Sequence, residues 1–352
     1  MNKQQQSLLM KKVAPFKNAK TKSSVGQLLN TFPPFFLLWF AAYECLTVSY
    51  WLSLVLALAA SGFVVRIFII FHDCCHGSFF RSRKGNAFLG TISGIITLFP
   101  FEKWKHSHAI HHATSGNLNK RGTGDIWLMT VDEYLSSSFW GRLTYRFYRN
   151  PFVMFILGPI FLFLISNRLN KRGARRKERL NTYLTNVAIV LLYTLMCFVI
   201  GWKAFLLIQL PILMVAGAAG IWLFYVQHQF EDSYFEDETS WDYVKAAVDG
   251  SSYYKLPKVL QWLTGNIGFH HIHHLSPRVP NYHLEHVHNA NPALQTVTTI
   301  TIRSSLKSLR FRLWDEQNKA FVNFKDLKHL ATRKNKQTSS PLTAAMKKRK
   351  MG

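Results

Sequence analysis

FFLLWFAAYECLTVSYWLSLVLALAASGFVVRIFIIFHDCCH, residues 35 to 76, is apolar almost throughout and ends on two histidines. Only Glu44 and Arg66 interrupt the run from Phe35 to Phe71, and the polar-tolerant centre lies at Thr47-Val-Ser-Tyr50. At ~1.5 Å per helical residue, that length crosses a hydrocarbon layer of roughly 30 Å twice. The stretch therefore reads as two antiparallel transmembrane helices. A second apolar pair runs from Tyr183 to Tyr225, with a turn at Gly201-Trp-Lys203 and Pro211 placed to kink the return helix.

Two further apolar segments are too short or too broken for the same reading. Ala87 to Phe101 contains Gly90, Gly94 and Pro100, and Phe152 to Ile165 has Gly158-Pro159 at its middle. Both are expected to dip into the membrane or lie at its surface. Charge supports this arrangement, because Lys and Arg in short flanking loops mark the cytoplasmic side. Residues 167 to 181 hold seven of them, including Arg172, Arg175 and Arg176, against one Glu178. The N-terminal 30 residues carry six lysines and no acid, and residues 333 to 352 carry seven cations and no acid. The turns near Ser49 and Gly201 hold only Lys203. Two hairpins with non-crossing segments between them put every basic region, and both termini, on the cytoplasmic face.

The expected fold is thus all-α: a polytopic membrane protein of two transmembrane hairpins, re-entrant or interfacial segments and a cytoplasmic helical cap. Its regions are a basic N-terminus (1–30), a membrane domain (31–320) and a basic, disordered tail (321–352). The net charge of +25 then has a simple cause, basic loops against anionic headgroups, and nucleic acid is not an expected partner. Cys45, Cys74, Cys75 and Cys197 have no disulfide-framework spacing and read as small reduced residues.

Histidine is where the chemistry concentrates. The chain holds 15, yet His270, His271, His273 and His274 fall within five residues of one another. On a helix, positions i, i+3 and i+4 share a face, so His270, His273 and His274 can converge while His271 points away. The spacing recurs at His108, His111 and His112, and His72 and His76 stand at i, i+4. Converging imidazoles would repel one another if protonated, so a bound transition-metal cation makes such clusters tolerable. On its own, His228, at the end of an apolar run, reads as an ordinary buried histidine.

The three boxes, with Asn117 to Trp127 and His274 to Tyr282 around them, resemble those of the integral-membrane fatty acid desaturases. Within that family the chain is most similar to the bacterial acyl-lipid branch, the phospholipid delta-5 desaturases, over residues 28 to 314. The resemblance implies two iron ions ligated by histidine, O2 as co-substrate, and removal of two hydrogens from an unactivated methylene pair in a membrane-lipid acyl chain. It assigns ligand roles to His72, His76, His108, His111, His112, His228, His270, His273 and His274, and thereby raises His228 above its solitary reading. No catalytic side chain beyond the ligands is implied. Asp73, Asp125, Asn266 and Asn281 are candidates to orient the imidazoles by accepting their second N–H. His106 and His271 are expected as hydrogen-bonding neighbours of the cluster, and the acids from Glu231 to Glu238 as an exposed loop.

Electrons have to come from outside, because the chain contains no Gly-x-Gly-x-x-Gly loop and no haem domain. A ferredoxin or flavodoxin is the expected donor, and such acidic proteins suit a basic face. Three rivals define what the structure has to discriminate. A histidine-rich metal transporter would carry its ligands inside the spans. Zinc hydrolysis would need a His-Glu-x-x-His pair, which is absent, and three protein ligands rather than nine. A membrane di-iron hydroxylase of alkyl or carotenoid substrates would share the metal site.

Overall fold

The computed structural model describes residues 1–327, so most of the expected basic tail, and His329, lie outside the described residues. The chain opens with α1 (Lys3–Val13), whose first turn is closed by a reciprocal cap between Asn2 and Gln5. α2 (Thr21–Leu29) and α3 (Phe32–Cys45) follow, and α4 (Tyr50–His76) returns alongside α3 after a short turn. α5 (Arg83–Ile96) and α6 (Phe101–Thr114) come next, then α7 (Val131–Ser136) and α8 (Phe139–Tyr148). α9 (Val153–Ser166) winds as π-helix at both ends and meets α8 at 66°. α10 (Arg176–Ile200) and α11 (Trp202–His228) form the second long hairpin.

Four stretches among the described residues are long and apolar enough to cross a membrane: 21–45, α4, α10 and α11, or five if α8 and α9 make one broken span. The expected hairpins are these helices with wider bounds, because polar residues join the helix ends: α10 begins at Arg176 rather than Tyr183. The turn between α10 and α11 shrinks to Gly201, at φ +84, a conformation that side chains with a Cβ resist. α11 runs through Pro211 as one helix. α5, at 14 residues, spans only ~21 Å and stays short of a crossing.

α4 is the axis of the bundle. Ser53, Ala57, Ala60 and Ser61 are small enough for neighbours to approach closely, and all four are buried. The Ser53 hydroxyl donates to the Ala42 carbonyl of α3 at 2.6 Å, so a polar group inside the apolar layer is satisfied. The outer faces behave oppositely: Val187, Leu191, Leu195 and Phe198 line one exposed face of α10, the surface that lipid chains would cover. α4 stops at Gly77, φ +65, where the Ser78 N–H bonds the Asp73 carbonyl at 3.0 Å. That Schellman-type cap holds the last turn, and the turn carries His72 and His76.

Beyond α11 the chain builds a cap from α12 (Tyr243–Val248), β1 (Tyr253–Lys255), α13 (Lys258–Leu263), α14 (His270–Leu275) and α15 (Asn281–Ala290). It continues through β2 (Thr299–Thr301), α16 (Ile302–Ser305), β3 (Leu313–Asp315) and β4 (Ala320–Val322). β1 pairs with β2 in parallel and β3 with β4 antiparallel, two small ladders that the all-α reading does not contain. Two regions outside the expected membrane domain pack against the rest of the chain. The basic N-terminal segment docks on the cap, with Leu9 and Val13 of α1 buried against Ile272, Leu275 and Leu284. Residues 321 and 322, expected in the disordered tail, instead pair with Trp314 and Leu313, and Phe324 packs on Tyr134 and Tyr145. Apolar Phe321, Val322 and Phe324 account for this, because each gains a partner on folding.

Candidate metal centre

Four separate elements deliver the imidazoles to one place. His72 and His76 leave the last turn of α4, and His108, His111 and His112 share a face of α6. His228 is the last residue of α11, and His270, His273 and His274 lie on α14. All but His76 are buried, and His76 is only partly exposed. The ligating atoms sort into two groups, each gathered within 4.8 Å: His72, His76, His108, His112 and His273 in one; His111, His228 and His274 in the other. His270 joins the second group, its Nε2 lying 3.0 Å from that of His228. The groups adjoin, since the rings of His112 and His274 stack at 4.2 Å.

Several Nε2 atoms face each other at hydrogen-bonding distance: His112 to His108 at 3.0 Å, His273 to His112 at 2.9 Å, His111 to His228 at 3.2 Å. A few shared protons could not satisfy so many converging lone pairs. His76 Nε2 and His274 Nε2 are buried with no partner at all. Buried nitrogens are rarely left orphaned, and a cation between them would satisfy each group at once. The donor set therefore suits two adjacent transition-metal ions. Burial, reinforced by the neighbouring imidazoles, holds His108, His112, His270, His273 and His274 well below the ordinary imidazole range. They are neutral at physiological pH, the form that ligates.

The opposite ring nitrogens explain the orientation. His111 Nδ1 donates to Asp125 Oδ1 at 2.5 Å, His72 Nδ1 to Asp73 Oδ1 at 3.3 Å, and His228 Nδ1 to the Gly250 carbonyl at 3.2 Å. A proton fixed on Nδ1 leaves the Nε2 lone pair aimed inward. Asp73 is itself held, its Oδ2 accepting from the Asn281 backbone N–H at 2.7 Å and side-chain amide at 2.8 Å. Of the four polar candidates, Asp73 and Asp125 touch imidazoles, whereas Asn281 acts through Asp73. Asn266 stands one link further out, donating to the Asn281 carbonyl at 3.2 Å.

His106 is only partly buried, and His271 turns away from the cluster to pack against Tyr253 and His288. Burial, with His288 beside it, pushes His271 down to about 3. Cys74 and Cys75 sit among Ile70, Phe71 and Phe79 in an apolar cluster. The acidic run pairs at the surface, Glu231 with Lys307, Glu236 with Lys319 and Glu238 with Lys120.

Three contributors escaped the sequence reading. Trp104 stacks on His108 at 4.1 Å, and its position four residues earlier on α6 was the available signal. The Gly250 carbonyl leaves no trace in side-chain identity. Arg149, 1% exposed, donates to the Trp127 carbonyl and to Gln229 Oε1, so it ties the segment after Asp125 to the residue after His228.

A family model described as "Fatty acid desaturase" matches residues 49–301, a span containing all nine converging imidazoles. A protein of Bacillus subtilis (strain 168) named "Fatty acid desaturase" is 62% identical over 325 residues, covering 92% of each chain. The "sn-1 oleoyl-lipid 12-desaturase" of Synechocystis sp. is 26% identical over 240 residues, 63% of each chain. The "sn-1 acyl-lipid omega-3 desaturase (ferredoxin)" of the same organism is 27% identical over 235 residues, 62% of this chain and 61% of that one.

Proposed function

The chain belongs to the fatty acid desaturase family, and from that premise we propose that it inserts a double bond into the acyl chain of a membrane lipid, using two histidine-held iron ions and O2. One observation carries the reading: nine imidazoles from four elements sort into two adjacent groups with their lone pairs inward. His72, His76, His108, His112 and His273 hold one ion; His111, His228, His270 and His274 hold the other. Bound iron supplies the O2 activation and electron transfer that removing hydrogen from an unactivated methylene pair demands. One O2 becomes two waters, with two electrons from the acyl chain and two from a donor.

The protein's own residues keep the centre dry and aligned. Asp73, Asp125 and the Gly250 carbonyl hold Nδ1 protons in place, so the Nε2 atoms stay unprotonated. Trp104 covers His108 and His72, and Phe224 packs on His111 at 5.0 Å, which limits water on the apolar side. The acyl substrate class follows the names of the cyanobacterial relatives, and the delta-5 position follows the likeness around residues 117–127 and 274–282. The basic loop preceding α10 is the proposed dock for a ferredoxin or flavodoxin. Lys177, in the first turn of α10 just after it, pairs with Glu102 at the start of α6 at 2.8 Å, and Arg172, Arg175 and Arg176 are exposed. By the charge bias of the loops, the centre and both termini face the cytoplasm.

The experiment is fatty-acid analysis of a host expressing the protein, with double-bond position assigned by mass spectrometry and His111→Ala as control. A new alkene at carbon five, absent from the control, is expected. A hydroxylated chain, or the same product from the control, contradicts the reading.

A further inference from the structure

The parallel register of β1 and β2, Tyr253 opposite Thr299 through Lys255 opposite Thr301, sends the chain out of both strands at the same end. α13 leaves one strand and α16 the other. α13 lays Trp262 against Phe63 of α4, rings 5.8 Å apart, while Val259 stays 70% exposed. The turn that contains α16 and continues to Arg310 rests on α11 instead: the Tyr225 hydroxyl donates to the Ser308 carbonyl at 2.6 Å, and Tyr254 reaches both Ser305 and Trp222. Tyr225 stands three residues before His228, about 4.5 Å along the helix axis. The turn with α16 therefore flanks a membrane-length helix close to where that helix gives way to the cap, whereas α13 reaches the middle of α4.

On that turn apolar and cationic residues interleave. Ile302 and Leu306 are 45% and 56% exposed. Thr301, Arg303, Ser304, Leu306, Lys307 and Arg310 line an open pocket of about 480 Å³. Lys307 shares its charge with Glu231 at 3.2 Å; among the described residues, Arg303 and Arg310 form no ion pair. Apolar side chains beside a cationic concavity at the edge of a membrane bundle suit an interfacial element, its apolar residues in the acyl boundary and its cations at headgroup level. Guanidinium forks and hydroxyls complement phosphate oxygens.

We propose that this pocket binds the phosphate of an anionic glycerophospholipid and so presents a phospholipid, rather than a soluble thioester, to the metal centre. The assignment rests on the lipid-desaturase reading and narrows its substrate. An acidic protein is the weaker occupant, because Ile302 and Leu306 would sit exposed among its charges.

The test is binding, which needs no turnover. Full-length protein in neutral detergent is titrated with pyrene-labelled phosphatidylglycerol, with diacylglycerol bearing the same chains, and with inorganic phosphate or a coenzyme A thioester as competitors. Replacing Arg303, Lys307 and Arg310 by Gln weakens phosphatidylglycerol binding by about 100-fold, at roughly a factor of five per cation, and leaves diacylglycerol unchanged. Glu231→Gln frees Lys307 and tightens phosphatidylglycerol binding roughly fivefold, a gain that misfolding cannot mimic. Equal binding of both lipids by the wild type, an unaffected triple variant, or displacement by the thioester or by free phosphate at equal concentration each overturns the assignment. A protein that binds phosphatidylglycerol as expected but makes no alkene would instead contradict the desaturase reading and leave the pocket standing.

Discussion

Asp125→Asn is the smallest change that should disable one half of the metal centre and spare the other. Asp125 Oδ1 accepts the His111 Nδ1 proton at 2.5 Å, and its Oδ2 accepts the Gly122 backbone N–H at 3.3 Å. An amide has one acceptor where the carboxylate has two. If the amide oxygen keeps His111, the NH2 faces another donor at Gly122. If the oxygen turns to Gly122, the NH2 donates to His111 Nδ1 and drives the imidazole proton onto Nε2, the atom 3.2 Å from His228 Nε2. Either outcome forfeits a charge-assisted hydrogen bond, about 1.5–3 kcal/mol, or roughly 10- to 150-fold in affinity. His111 belongs to the group with His228 and His274, so only that ion should loosen. Chelator competition followed by iron analysis reads this directly: the wild type releases both ions at one chelator range, and the variant releases the first ion at 10- to 150-fold lower chelator. Two ions with wild-type competition curves would refute the orienting role of Asp125.

Asn281→Ala keeps the backbone N–H to Asp73 but removes the side-chain donor, and should lower stability by about 1.5–3 kcal/mol, the worth of one bond to a charged group; an unchanged melting temperature would show that Asp73 finds another partner. Reversing Arg172, Arg175 and Arg176 to Glu should raise the half-saturating donor concentration on the order of 10-fold or more at low salt, and less so at high salt. A salt-independent or absent change removes that loop as the dock. Metal-free protein should lose stability in acid. His108, His112, His270, His273 and His274 are depressed by burial, so the unfolded chain takes up protons below about 6.5 that the folded chain refuses. Stability from these groups is full above that pH and falls as pH drops below it, and a melting temperature equal at pH 8 and pH 5.5 would contradict their burial as neutral rings.

What the sequence disclosed was governed by distance along the chain. The spacing of His108, His111 and His112 is a local property of one helix, as is that of His270, His273 and His274, so the converging faces were legible before any fold. The long apolar helices were equally local. His228 was different: a single histidine has no periodicity, and only the resemblance to a family distinguished it. Asp125 and Asp73 could be nominated because carboxylates near histidines have one obvious use. Asn266 could not be ranked below Asn281, since their order depends on a turn through Gly265 and Asn266 at positive φ. The Gly250 carbonyl was invisible because every residue has one. The ladder between residues 253–255 and 299–301 joins two three-residue segments across more than forty positions, with no alternation long enough to betray either.

The most direct measurement is metal analysis of the purified, full-length protein, combined with 57Fe Mössbauer spectroscopy and repeated on His273→Ala and His228→Ala. Two adjacent imidazole groups predict two coupled iron ions per chain, negligible zinc, and selective loss from the five-histidine group in the first variant and from the four-histidine group in the second. One metal per chain, zinc in place of iron, or two irons retained in both variants would contradict the account.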